Sequence, residues 1–165
     1  MCLIETDALS GSRGGVMRYK DTGNVHMDFH LSTNATIEYI LQHYDLDFLR
    51  ELFRRTAQKV YKDLYENLKA GNAAPLVEHT AYYIEREGGA LTVTEKDDEI
   101  IIDVIRCPAV FHARERGYRA PTDFCLQTAL MNNAWSEGTP FEITTCIRSE
   151  GTCRQILRRK NNATQ

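Results

Sequence analysis

The chain has 165 residues, 42% of them apolar and 26% charged, which fits one folded domain and excludes a composition built for disorder. Its 20 Lys and Arg are scattered among 23 Asp and Glu for a formal net charge of −3, a poor match to nucleic acid, whose phosphates call for concentrated cations. No apolar run has the length of a membrane span, and Met1-Cys2-Leu3-Ile4-Glu5 lacks the cationic start and apolar stretch of a secretory signal.

Residues 1–24, with Gly11, Gly14, Gly15 and Gly23, carry no sustained periodicity and read as a flexible arm ahead of a single domain over residues 25–160. Ser32 or Thr33 can cap a helix that runs to His43 on the stripe Ile37, Ile40, Leu41 and Tyr44. Asp45 can cap a second, continuous helix reaching about Ala70. Its apolar positions are Phe48, Leu49, Leu52, Phe53, Val60, Tyr61, Leu64 and Leu68, and Gly71-Asn72 stops it. Pro75 suits the first turn of a third helix ending at Gly88-Gly89.

The period then becomes extended. Residues 91–94 and 100–105 flank the polar turn Lys96-Asp97-Asp98 and predict a β-hairpin. Cys107-Pro108 ends its second strand and opens a short helix. Thr122 is the expected cap of a further helix through Met131 and Trp135 to Gly138. A second hairpin joins residues 141–147 to residues 152–157 through Ser149-Glu150-Gly151. Helices first and hairpins later predict an α+β fold, its helical N-terminal half packed on an antiparallel sheet made of two C-terminal hairpins.

Five cysteines, an odd number at irregular spacing, fit free thiols in a reducing compartment such as the cytoplasm better than a disulfide framework. Cys107 stands between a strand end and a helix start, and Cys125 occupies the third helical position if Thr122 is the cap. Both placements aim backbone N–H groups and the positive end of a helix at sulfur, which favours thiolate. Cys153 lies two residues past the hairpin turn and shares a face with Gln155 and Leu157, while Thr152, Arg154 and Ile156 take the other. Cys146 alternates with polar neighbours and falls outside this group. Three readings stand open for Cys107, Cys125 and Cys153: nucleophiles, ligands for a metal such as zinc or iron, or small buried hydrophobes. No Cys-x-x-C pair is present, so the usual zinc signature is missing.

His79 on the third helix is the candidate general base, with His112 second. His26 and His30 have the spacing of a helical metal pair, without helix signals around them. Asn132, Trp135 and Arg154 are candidates for substrate binding: the first two share an amide-rich helix, and a guanidinium suits a carboxylate.

Cys107-Pro108 after a strand, Phe124-Cys125 on a helix and Glu150-Gly151-Thr152-Cys153-Arg154 in a late hairpin occur in an order that resembles the L-2-amino-thiazoline-4-carboxylic acid hydrolase family, over roughly residues 26–159. The resemblance implies Cys107, Cys125 and Cys153 as the matched positions. It also implies a hydrolase that opens a cyclic amidine by attack on the ring carbon between sulfur and two nitrogens, leaving a carbamoyl cysteine. On that reading Cys125 attacks, His79 moves the proton, and Cys107 or helix N–H groups hold the intermediate. In a variant, the three thiolates hold zinc or iron and a metal-bound water attacks. Leu126-Gln127-Thr128 departs from the family, whose members carry an acid shortly after the helical cysteine. The competing reading is a non-catalytic metal-binding or small-ligand sensor. The expected partner is a small-molecule substrate, with a homo-oligomer suggested by the glycine-rich arm and the aromatic helix faces.

Overall fold

The computed structural model describes residues 28–118, 125–149 and 151–160. The arm expected over residues 1–24, His26 and the Thr122 cap lie outside the described residues. The first helix, α1 (Asp28–His43), begins ahead of the expected Ser32 or Thr33 cap. Those polar residues are absorbed into the helix, where Ser32 and Thr36 hydroxyls donate back to the carbonyls of Phe29 and Ser32. Ile37 and Ile40 face the core.

Asp45 caps α2 (Leu46–Arg55) as its side chain accepts from the Phe48 N–H at 2.8 Å. The continuous helix expected to Ala70 is broken. A π-turn at Thr56–Val60 follows, Tyr61 leaves helical geometry at φ −95°, ψ 40°, and α3 (Lys62–Lys69) resumes. The reason lies in the spacing of the core residues. At 3.6 residues per turn, Leu68 would point about 100° around the axis from Leu49. A π-turn takes up one more residue and removes about that angle, so Leu49, Phe53, Ala57, Leu64 and Leu68 all reach the core. Phe48, Leu52 and Val60, counted among the apolar positions from sequence, are left 49%, 38% and 54% exposed.

Pro75 sits in the first turn of α4 (Ala74–Arg86), which closes as the Gly88 and Gly89 N–H groups donate to Glu85 and Ile84 carbonyls. The hairpin β1 (Ala90–Lys96) and β2 (Glu99–Arg106) comes next, then α5 (Pro108–Glu115) and α6 (Leu126–Ser136). The second hairpin is β3 (Phe141–Ser149) and β4 (Thr152–Arg159). The four strands form one antiparallel sheet in the order β1-β2-β4-β3, joined where β2 pairs with β4. The architecture is α+β, with mostly N-terminal helices and a sheet of two C-terminal hairpins.

Alternation sorts the strands into two faces. Ile102 and Val104 of β2, Gln155 and Leu157 of β4, and Phe141 and Ile143 of β3 are buried and share the inner face. They pack with Leu49, Phe53, Leu64, Leu68, Leu130 and Trp135 from the helices. Full burial of one such aliphatic side chain is worth about 1.5–3 kcal/mol. Asp103, Arg154 and Cys146 occupy the outer face.

Candidate functional site

Cys107 is placed by backbone pairing. It follows β2, and its N–H donates to the Gly151 carbonyl at 2.9 Å, tying the strand end to the β3–β4 turn. Cys107 is extended (φ −78°, ψ 118°) at the cap position of α5, and Pro108 fits the first helical position because its missing N–H would be unpaired there. Cys153, two residues beyond Gly151, is opposite Val104 on one side and Ile147 on the other, on the helix-facing side of the sheet. Cys125 immediately precedes α6. All three are half-buried free thiols. Ile147 shares the Cys153 face yet is 55% exposed, so among the described residues the helical cover does not extend over it.

The three thiols lie within electrostatic reach of one another. Burial, foremost, and then negative charge on Cys107 and Cys125 push the Cys153 thiol up to about 12. Burial and the Cys107 charge raise Cys125. Burial raises Cys107 too, with a smaller contribution from Glu87. The N–H groups of Val110 and Ala109 act on its sulfur in the opposite sense, although neither closes to a formed capping hydrogen bond. The thiolate expected at these helix starts is not favoured: the Cys107 and Cys125 pKa values are raised. Helical N–H groups do act on Cys107, but desolvation outweighs them, and burial leads at Cys125 as well. Cys125 stands one residue outside α6 rather than within its first turn. Among the described residues, no three His, Cys, Asp or Glu side chains form a group able to hold a metal ion. The trio Cys107, Cys125 and Cys153 considered for zinc or iron is close enough to couple electrostatically without making a ligand set.

His79 stands elsewhere. It lines a recess of about 150 Å³ with Val60, Tyr61, Lys62, Asp63 and Leu64, at the break between the π-turn and α3. Its ring meets Tyr61 edge-on at 5.3 Å and Tyr83 at 4.6 Å. None of the thiols borders that recess. Asn132, only 2% exposed, donates through Nδ2 to Thr145 Oγ1 and Gln155 Oε1, both at 2.8 Å, and so rivets α6 to β3 and β4. Trp135 Nε1 donates to the Ala57 carbonyl at 3.3 Å, satisfying a group of the π-turn, and its ring is buried. Arg154 projects from the outer face and grips Asp103 with two hydrogen bonds of 2.8 and 2.6 Å. The guanidinium holds the Asp103 carboxyl below its ordinary range. The sheet thus separates Arg154 from Cys153.

No protein-family model matches the chain, nor does any curated protein.

One arrangement near Cys107 escapes sequence reasoning. His112 of α5 is 7% exposed and its Nε2 is 3.1 Å from Asp28 Oδ1. Two residues along α1, His30 Nε2 is 2.8 Å from Glu87 Oε2, with the side chains 12% and 8% exposed. Fifty-seven positions separate that pair in the chain, and His30 was visible only as a weak partner for His26. The pair lies at the end of α4, where Gly89 is wedged against the Arg106 carbonyl and the Pro108 ring, the two neighbours of Cys107.

Proposed function

We propose that the chain is a thiol-dependent small-molecule hydrolase that opens cyclic amidines such as 2-amino-thiazoline-4-carboxylate. The observation that carries this reading is that Cys107, Cys125 and Cys153, from a strand end, a helix start and a hairpin, are near enough for charge on one to raise the pKa of another. Ile147, beside Cys153 on the same face, is 55% exposed. Cys107 is the nucleophile on this reading, because among the three thiols it is the one on which helix N–H groups act against the burial that raises it.

The reaction balances with water as the only co-reactant. The Cys107 thiolate adds to the amidine carbon, the ring bond from that carbon to sulfur or nitrogen breaks, and the departing atom takes a proton. Water then attacks the same carbon and displaces Cys107. The product is a carbamoyl cysteine, and the enzyme thiol is regenerated. Cys125 and Cys153 line the site as polarisable neighbours. Half-buried thiols of this kind suit a reducing compartment such as the cytoplasm.

The test is incubation of purified protein with 2-amino-thiazoline-4-carboxylate and related cyclic amidines, with ring opening followed by chromatography. Turnover by the wild type and its loss in Cys107→Ser support the reading. A folded wild-type protein that turns over none of the amidines overturns it. The elevated thiol pKa values favour a second reading, a module that binds a small ligand without converting it; saturable binding with no product would select that one.

A further inference from the structure

We propose that the chain forms a two-fold dimer through α2, with the row Tyr44, Phe48 and Leu52 of one copy packed antiparallel on the same row of a second copy. The inference stands apart from the hydrolase reading and involves none of the thiols.

The row follows from helical geometry. α2 packs on α1 and α6 and turns Leu49 and Phe53 into the core. Phe48 and Leu52 each stand one position before those two, so they lie about 100° around the helix axis from the core-facing line. That angle keeps them out of the core, at 49% and 38% exposed. Tyr44, just ahead of the Asp45 cap, continues the line. Its ring stacks on Phe48 with centroids 4.7 Å apart, and the residue is 54% exposed. Steps of four residues thus set three large apolar side chains in one row, left in solvent among the described residues. A single exposed apolar side chain is ordinary on a monomer, whereas an aligned row on a helix is a surface that a partner covers.

Charge selects the occupant. Asp45 and Asp47 stand at the N-terminal end of α2, and Arg54 and Arg55 at its C-terminal end. Asp45 and Arg55 fall about 60° and 20° from Phe48 around the axis, on the exposed side. A second copy, reversed about an axis midway between Phe48 and Leu52, sets Phe48 against the partner's Leu52. The same operation sets Asp45 against the partner's Arg55, and each contact occurs twice. Arg55 donates Nε to Glu51 at 2.8 Å and keeps 72% of its side chain exposed. A guanidinium carries further N–H donors that can meet a second carboxylate. Glu51 lies close to the axis, and its charge is already offset by Arg54 and Arg55 of its own chain. Antiparallel alignment also brings opposite ends of the two helix dipoles together. The helix is therefore complementary to its own reverse, as an isologous interface requires.

Sedimentation equilibrium of the full-length protein over a concentration series tests the proposal without any substrate. The wild type should reach twice the chain mass. Phe48→Glu should weaken association by roughly thirtyfold or more, the loss expected of a central apolar anchor. Its far-UV circular dichroism should not change, because the side chain faces solvent in the single chain. Leu52→Glu should act in the same way. Arg55→Glu sets acids together at both ends of the interface, and Asp45→Lys sets cations together there. Each should weaken association by on the order of tenfold at low salt, and by less as salt is added. Mixed in equal amounts, these two variants should recover the dimer. The acid introduced at position 55 of one then meets the cation introduced at position 45 of the other, while the unchanged Asp45 and Arg55 pair at the far end. A wild-type dimer lost in folded Phe48→Glu and restored in the mixture supports the proposal. A wild type that stays monomeric at every concentration, whatever else covers the row, overturns it. So does a dimer indifferent to Phe48→Glu and Leu52→Glu, or a mixture no more associated than its separate components.

Discussion

Replacing Gly89 with alanine probes the junction on which Cys107 depends. The added methyl would lie 2.7 Å from the Arg106 carbonyl oxygen, from Ile84 Cγ2 and from Pro108 Cδ. Comfortable contacts fall at about 3.5–4.0 Å, so each neighbour would have to retreat by roughly 1 Å. Two of the three are a strand carbonyl and a proline ring, which give poorly. Overpacking of this kind costs about 2–3 kcal/mol, within the usual range for extra methylenes in a tight site. In a domain of this size that is roughly 4–12 °C in melting temperature. Gly88→Ala is the matched control. Nothing lies within 4 Å of its added methyl, and only its left-handed φ of +78° is penalised, for about 1 kcal/mol. Thermal and urea unfolding of the two variants give the order, and the Cys107 alkylation rate reports whether the junction has moved. A Gly89→Ala protein that melts within a degree of wild type, or above Gly88→Ala, refutes the reasoning. At an unstrained φ without crowding, glycine to alanine would stabilise by about 0.4–1 kcal/mol instead.

Asn132→Ala should destabilise by about 2–3 kcal/mol in urea unfolding, because Gln155, 7% exposed, loses its donor. Cys153 has a folded-state pKa pushed from 9.0 to about 12, so its contribution to stability is intact below about 9 and lost as pH rises toward 12; Cys153→Ala should flatten the fall in melting temperature over that window. Arg154→Ala should lower the urea midpoint only slightly, since the pair is solvated, and should leave thiol alkylation unchanged because Arg154 is on the outer face. The cost should shrink in acid: Asp103 is held low by Arg154, so the pair's contribution is present above the ordinary aspartate range and lost as pH falls through the folded value. Trp135→Phe should cost about 1 kcal/mol or slightly more by calorimetry, the hydrogen bond to the Ala57 carbonyl being lost while most of the ring volume is kept.

Much of the fold was legible because its signals are local. Asp45 caps a helix through a bond three residues away, Gly88 and Gly89 end one through their own N–H groups, and alternation divides β4 into a Cys153–Gln155–Leu157 face and an Arg154 face. Covalent periodicity and side-chain chemistry over a few residues suffice for these, and the chain itself determined them. The break at Tyr61 was not legible, because it arises from the angular mismatch between Leu49 and Leu68 once both must reach one core. The thiol pKa values also depend on tertiary structure: a helix start favours thiolate locally, yet desolvation by the rest of the protein decides the sign. His30 and Glu87 carry no mutual signal across fifty-seven residues, and only the docking of α1 against the end of α4 brings them together. Sequence determined which groups this protein owns and the local geometry that offers them. Packing alone decided their neighbours and their charge, because burial and long-range contact are properties of the folded chain.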